Sequence, residues 1–289
     1  MASPDHDKWL TVSQEEFEGR TEMGIWKLVN RPRDQKTIKC RWTYVVKSDR
    51  WYKVCLVAKG YTQVQGIDYG ETFSPIARYE SIRYILAHAV LLNWEIEAMD
   101  VKLPYLHGVL KEKIYMEQLE GFIAKGEEDK VCRLMCSLHG LKQAGWVWNK
   151  TFAHTIRKKL GLKTIYSDAG VYILHHWQGG TIKIILILYV NDLLLLGKDQ
   201  SKIEDIKHQL GELYHMKDLE PASSYLGIRI TRDRRNHVIW IDQEAYIENV
   251  MKRFGLQDAN NTKTPLLANL HSERYEGEAP TETKTHFQQ

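Results

Sequence analysis

The sequence predicts an α+β fold in which an antiparallel sheet is backed by helices. Three observations lead there. Strand-like and helix-like segments are mixed without the regular alternation of a parallel βαβ sheet. The Gly179–Gly180 pair separates two apolar runs, as a hairpin turn does. Residues 80–93 and 143–162 carry apolar residues at helical spacing.

Taken in order, residues 8–24 read as a helix carrying Trp9, Leu10 and Phe17. Residues 38–47 and 52–59 alternate and are rich in β-branched and aromatic residues, so they read as paired strands joined by a turn near Ser48–Arg50. Residues 60–77 are glycine-rich and irregular. A helix over 80–93 presents Ile82, Ile85, Leu86, Ala89 and Val90 on one stripe. Strands are expected at 94–101 and 112–118. A long helix then runs from Gln143 to Leu160, with Gly161 free to adopt the left-handed closing conformation.

Strands at 169–174 and 181–190 flank the Gly-Gly turn. A helix over 201–215 is expected with Ser201 as its N-cap. Strands at 224–231 and 237–241, and a helix at 243–254 stopped by Gly255, complete the reading. From Asn260 the chain is polar and reads as a flexible tail. The expected organisation is a helical lead-in over 1–25, one large domain over 26–266, and a tail over 267–289.

Composition narrows the classes. The chain has 289 residues, 43% hydrophobic and 27% charged, which suits a water-exposed globular protein. A net charge of +3 is too small to indicate nucleic-acid binding by itself. Residues 27–60 are locally basic, which suits either a solvated strand surface or a phosphate-facing one. No apolar leader follows Met1, and the four cysteines at 40, 55, 132 and 136 read as reduced thiols without zinc-site spacing. The longest apolar run, residues 184–190, is broken by Asn191 and Asp192 and is too short to cross a bilayer, so no membrane partner is expected.

Two acids stand out chemically. Asp100 ends the apolar segment 94–101, and Asp192 interrupts the apolar segment 181–197. An unpaired carboxylate buried there would cost several kcal/mol, roughly, or shift its pKa strongly. From residues alone, Asn191–Asp192 reads as a turn dipeptide. The functional alternative brings Asp100 and Asp192 together across neighbouring strands to bind a hard divalent cation.

Several long segments give a resemblance. Residues 52–83 (YKVCLVAKGYTQVQGIDYGETFSPIARYESIR), 99–122 (MDVKLPYLHGVLKEKIYMEQLEGF), 138–149 (LHGLKQAGWVWN), 189–197 (YVNDLLLLG) and 216–230 (MKDLEPASSYLGIRI) resemble, in order and spacing, the reverse transcriptase of copia-type LTR retrotransposons. The resemblance covers about residues 8–266. It implies the right-hand polymerase fold, with fingers, a palm with an antiparallel sheet carrying the acids, and a partial thumb. It also implies RNA-directed DNA synthesis by two-metal nucleotidyl transfer.

By position, Asp100 and Asp192 resemble metal-binding catalytic aspartates, with Asn191 in place of a third. Lys59 resembles a triphosphate contact, and it also reads as a solvated strand lysine. Tyr105 resembles the aromatic that closes against the sugar 2′-position, and it also reads as a core aromatic. Gln143 resembles a nucleotide-pocket contact, and it also reads as a polar residue at a helix start. Mg²⁺, with Mn²⁺ as the looser substitute, is the implied cofactor. An RNA or DNA template with primer and deoxynucleoside triphosphates are the implied partners, with a second copy or other transposon Pol products as candidate protein partners. The implied location is intracellular, in cytoplasmic virus-like particles or the nucleus.

Departures from the family pattern cluster at these positions. Asn191 is neutral where the family has the first of two aspartates. Cys55 stands where it has Arg, Pro104 where it has a small residue, and Gly145–Asn149 where it has Pro-Arg-Ala-Trp-Tyr. The expectation is an enzyme by descent with impaired chemistry. The alternative is a catalytically inactive nucleic-acid-binding protein or transposon relic. No ribonuclease H, protease or integrase segment is read, and the chain is expected to be an isolated reverse transcriptase piece.

Overall fold

The computed structural model describes residues 5–47, 50–175 and 182–260. Ser48 and Asp49 of the turn expected near Ser48–Arg50, the Gly179–Gly180 turn, and the tail lie outside them. The α+β class is the one observed. The elements, in chain order, are α1 (His6–Glu22), β1 (Trp26–Asn30), β2 (Thr37–Ile38), β3 (Cys40–Val46), β4 (Tyr52–Ala58), α2 (Tyr79–Leu91), β5 (Glu95–Val101), β6 (Tyr115–Met116) and β7 (Lys130–Leu134). There follow α3 (Ala144–Leu160), β8 (Lys163–Thr164), β9 (Val171–His175), β10 (Ile182–Tyr189), β11 (Asp192–Gly197), α4 (Gln200–Leu213), β12 (Met216–Pro221), β13 (Ser224–Tyr225), β14 (Ile228–Asp233), β15 (Val238–Asp242) and α5 (Glu244–Arg253).

The centre is a six-stranded sheet of order β12-β5-β11-β10-β9-β8, with every neighbouring pair antiparallel. Its middle strands show why the sequence reads as an unbroken apolar run. Alternation by two puts Leu186, Leu188, Leu193 and Leu195 on one face, where α3 and α4 cover them with Trp148, Phe152, Ile156, Ile203 and Leu210. Ile185, Ile187, Leu194 and Leu196 point to the other face, under α2 and the β13–β15 sheet. A strand covered on both sides has no polar face to show.

A second body of core lies under two smaller sheets, β1-β7-β6-β2 and the β3–β4 hairpin. Helix α1 packs on that hairpin: Trp9 meets the rings of Tyr44 and Tyr52 edge-on at 5.2 and 4.5 Å, and Phe17 stacks on Phe122 at 4.8 Å. This core is tied to α3 through a joint of bare backbone. A Cβ on Gly60 would fall 2.0 Å from the Gly140 carbonyl oxygen, and one on Gly140, at φ +90°, would fall 2.1 Å from that of Ala58. The Ala58 amide also donates to the His139 carbonyl at 2.7 Å.

A buried ion pair lies on the α3–α4 side of the central sheet. Lys207, only 6% exposed, reaches Glu97, 4% exposed, at 3.3 Å, and Asp218 at 2.7 Å. It pins α4 to β5 and β12.

Some boundaries differ from expectation. The N-cap of α4 is Asp199, whose carboxylate accepts from the Ser201 amide, so Ser201 is the second residue of the helix, two positions past the cap. The strand expected at 224–231 is split, because Leu226 and Gly227 both take positive φ. The one expected at 112–118 shrinks to β6. Gly161 closes α3 at φ +69° as the sequence implies. Two compact units emerge, Met1–Asp242 and Gln243–Gln289; in the latter, α5 buries none of its residues. Among the described residues, no helix is long and apolar enough to cross a membrane.

Candidate active site

The site begins with strand register. β5 and β11 are antiparallel neighbours, and Asp100 is the direct cross-strand partner of Asp192. Both lie at the strand ends next to the β10–β11 turn, and both share a face with Ala98 and Leu194. The turn has two residues, Val190 and Asn191, between the paired Tyr189 and Asp192. Val190 takes φ +57°, an unfavourable choice for a β-branched residue that costs about 1–2 kcal/mol.

Three hydrogen bonds hold the strained tip. The Trp148 indole Nε1 donates to the Val190 carbonyl at 2.6 Å. The Val101 amide donates to the Asn191 carbonyl at 2.9 Å. The Tyr225 hydroxyl donates to the Asp192 carbonyl at 3.3 Å. Packing thus fixes where the acids stand.

The side chains then show what Asn191 does. Its amide Nδ2 donates to Asp100 Oδ1 at 2.5 Å. A carboxylate at position 191 could only accept, so the donor is particular to Asn. Asp192 is half-buried, and burial first, then the negative charge of Asp100, pushes its carboxyl pKa up. Two carboxylates stand together with one of them neutral-capped. Hard oxygen donors of this kind suit a divalent cation such as Mg²⁺. Among the described residues no group of three His, Cys, Asp or Glu side chains gathers here or elsewhere. The donor set therefore fits one cation between Asp100 and Asp192, and lacks the third charge that two shared cations require.

The other expected residues are placed as follows. Tyr105 sits in a 3-10 turn, Pro104–His107, five residues past Asp100. Its half-buried ring packs on both the central core and the core beneath the small sheets, and meets His139 edge-on at 4.8 Å. Burial pushes its hydroxyl pKa up. His139 is itself pushed down to about 4, by burial first and then by the charges of Arg20 and Lys53. Pro104 occupies the first position of the turn, where a missing N–H costs nothing; the strain falls on Leu103, at φ +56°.

Gln143 is wholly enclosed, 0% exposed. Its Nε2 donates to the Asp68 carbonyl at 2.9 Å, and its Oε1 accepts from Gln63 Nε2 at 3.1 Å. Gln63 Oε1 in turn accepts from the Lys142 amide at 2.8 Å. In this structure the amide is bonded to protein at both ends and braces the loop that carries Lys142.

Lys59 follows β4, and its amide donates to the Lys39 carbonyl at 2.8 Å. It forms no ion pair among the described residues. In the basic stretch 27–60, Arg31 forks onto Glu117, and Lys47 lies over the Trp51 ring at 5.0 Å. Cys55 is part-buried, and burial pushes its thiol pKa up.

The departures near α3 are absorbed locally. The Ser74 hydroxyl donates to the Gly145 carbonyl at 3.0 Å, and Asn149 Nδ2 donates to the Pro75 carbonyl at 3.0 Å. Sequence reasoning missed Trp148 and Tyr225 as supports of the turn. Their apolar spacing predicts burial, but the polar end of each finds its partner only in the folded chain.

A family model described as reverse transcriptase (RNA-dependent DNA polymerase) matches residues 23–268. The retrovirus-related Pol polyprotein from transposon TNT 1-94 of Nicotiana tabacum is 42% identical over 275 residues, covering 93% of this chain and 20% of that polyprotein. The one from transposon RE1 of Arabidopsis thaliana is 32% identical over 277 residues, covering 94% of this chain and 18% of that polyprotein. The chain thus spans about a fifth of the length of these curated relatives. Among solved structures, a telomerase from Candida albicans in complex with a fragment of telomeric RNA superposes with a TM-score of 0.45 at 9% identity, covering 86% of this chain and 55% of that one.

Proposed function

The chain belongs to the reverse transcriptase (RNA-dependent DNA polymerase) family, and on that premise we propose that it is a copia-type polymerase domain whose nucleotidyl transfer is crippled by Asn191. The reaction joins a primer 3′-oxygen to the α-phosphorus of a deoxynucleoside triphosphate. The bond from that phosphorus to the bridging oxygen breaks, and pyrophosphate leaves. Asp100 and Asp192 would hold a divalent cation, Mg²⁺ or Mn²⁺, which when bound supplies positive charge against the charge developing on the phosphoryl oxygens.

The protein's own groups do the rest. The Trp148, Val101 and Tyr225 hydrogen bonds hold the two acids in register. Tyr105 closes the sugar side of the pocket, and its ring has little freedom because it is wedged between two cores. Lys59, which forms no ion pair among the described residues, offers its cation to the triphosphate, and Gln143 acts from beneath by fixing the Lys142 loop. Template and primer are held by phosphate contacts.

The observation that carries this reading is the Asn191 Nδ2 to Asp100 Oδ1 bond at 2.5 Å. It spends one carboxylate oxygen on an amide and leaves position 191 neutral. A missing unit charge about 4 Å from a cation is worth roughly 4 kcal/mol at an effective dielectric near 20. That corresponds to a rate loss of about three orders of magnitude.

Primer extension on an RNA template tests the proposal, comparing the chain with Asn191→Asp in Mg²⁺ and in Mn²⁺. Restored synthesis in the variant supports it. Equal, vigorous synthesis by the unaltered chain refutes the role of Asn191. Silence in both assigns the defect to Cys55, Pro104 or Gly145–Asn149 instead.

A further inference from the structure

Between Asp129 and Asp168 the chain carries no acidic residue at all, while Lys130, Arg133, Lys142, Lys150, Arg157, Lys158, Lys159 and Lys163 fall inside that interval. The whole chain is nearly balanced, with 40 basic and 37 acidic residues, so the remainder outside this interval is net acidic. The imbalance is concentrated on α3, a 17-residue helix with no acid.

The helix orders these charges in space. Trp148, Phe152, Ile156 and Leu160 face the central sheet and are buried. On the opposite side, positions 150, 154, 157 and 158 repeat at i, i+4, i+7 and i+8, so Lys150, His154, Arg157 and Lys158 form one exposed stripe. Trp146 begins the stripe, with Lys150 Nζ 4.5 Å over its ring. Beyond the helix, Lys163 and the fully exposed Tyr166 follow.

None of Lys150, Arg157, Lys158 or Lys163 forms an ion pair among the described residues. Favourable interaction with the helix dipole accounts for cations in the last turn, Arg157 to Lys159. It does not account for Lys150, two turns earlier, nor for Lys163, which lies outside the helix.

We infer that the outward stripe of α3, Lys150, His154, Arg157 and Lys158 with Trp146 and Tyr166 at its margins, is a second nucleic-acid contact that takes single-stranded RNA or DNA by its phosphates. The helix rise puts Lys150 and Lys158 about 12 Å apart, a span that meets about two to three consecutive phosphates of an extended single strand. The exposed Tyr166 ring and the part-exposed Trp146 ring supply stacking faces for unpaired bases, which a duplex does not offer. The surface is distinct from the two-acid cleft. Asp100 and Asp192 share the α2 face of the sheet with Ala98 and Leu194, whereas α3 covers the other face. The inference shares with the proposed function only the class of ligand.

The test uses the full chain, a fluorescent single-stranded oligouridylate, and anisotropy titrations over a range of salt. Three variants are compared: Lys150→Glu/Arg157→Glu/Lys158→Glu, its glutamine counterpart, and Lys125→Glu as a solvated control. Unchanged far-UV circular dichroism confirms folding. The expected result is at least a tenfold weaker affinity in the charge-reversed triple, with a smaller loss in the glutamine triple. The log–log salt slope should flatten by about two, since each phosphate contact contributes about 0.7. Lys125→Glu should behave as the parent.

Unchanged affinity and slope in the triple overturn the inference while leaving cleft binding intact. No binding by any variant sinks both this surface and the template-binding part of the proposed function. Displacement of the oligonucleotide by polyglutamate at lower charge concentration than by RNA would assign the stripe to an acidic protein, and also overturns it.

Discussion

Changing Asn191 to Asp should make the cation-free protein less stable and the cation-loaded protein nearly as stable as before. In the parent chain, the Asn191 amide donates to a carboxylate oxygen of Asp100 at 2.5 Å. A hydrogen bond to a charged group contributes about 1.5–3 kcal/mol. The variant loses that and gains a repulsion between carboxylates at contact range, roughly 1 kcal/mol if fully solvated and roughly 4 kcal/mol at an effective dielectric of 20. The site is half-buried, so the total destabilisation lies at about 3–6 kcal/mol.

For a domain of this size, each kcal/mol moves the melting midpoint by about 2–4 °C. A drop of roughly 6–24 °C in EDTA is therefore expected. Millimolar Mg²⁺ should recover most of it, because the third carboxylate then faces a cation. Lowering the pH should also recover it. An acid whose folded pKa is raised destabilises the fold as pH climbs above its ordinary value, and Asp192 is already raised by burial and by Asp100. Thermal unfolding followed by circular dichroism reads all three effects. Equal midpoints in EDTA, or a deficit that Mg²⁺ leaves untouched, would refute the geometry argued for Asn191.

Three further outcomes follow from named contacts. Trp148→Phe removes one ring of a buried indole and orphans the Val190 carbonyl, and chemical denaturation should show a loss of about 2–5 kcal/mol from the cavity and the lost bond together. Lys207→Met leaves Glu97 buried without its cation; a loss of about 3–5 kcal/mol is expected at neutral pH, shrinking once the carboxylate protonates. Glu117 is held down to about 2, chiefly by the Arg31 fork and also by the Thr37 hydroxyl, so its stabilising contribution is present above its ordinary value near 4.5 and is lost as pH falls toward 2. Denaturation midpoints of Glu117→Gln should therefore differ from the parent at neutral pH and converge with it in that acidic window; a constant gap would contradict the pairing.

What the sequence revealed depended on how local each cause is. The middle strands were legible because full burial on both faces writes itself as an apolar run, and the end of α3 was legible because Gly161 is needed at positive φ. Strands β1 and β7 passed unnoticed. Each has five residues, and their pairing joins Trp26 to Leu134 across about a hundred positions, which no local pattern records. The start of α4 was misplaced by two residues because Ser and Asp cap equally well, and only the fold shows that Asp199 accepts the bond. At the site, Asp100 and Asp192 stand out because carboxylates interrupt apolar runs, and motif resemblance implies their role. That Asn191 turns its amide toward Asp100, and that Gln143 is enclosed, are facts of rotamer and neighbour that no spacing encodes.

The joint at Gly60 and Gly140 sets a mechanical tolerance. Side chains in contact can trade rotamers and give way by degrees, but two backbones touching have no such slack. The distance between the strand that leads to Lys59 and the loop that carries Lys142 is therefore a fixed dimension rather than an adjustable one. Such a bearing is either seated or unseated. A change elsewhere that shifts one partner by a fraction of an ångström will not be taken up there, and must be passed on to whatever the two segments jointly hold.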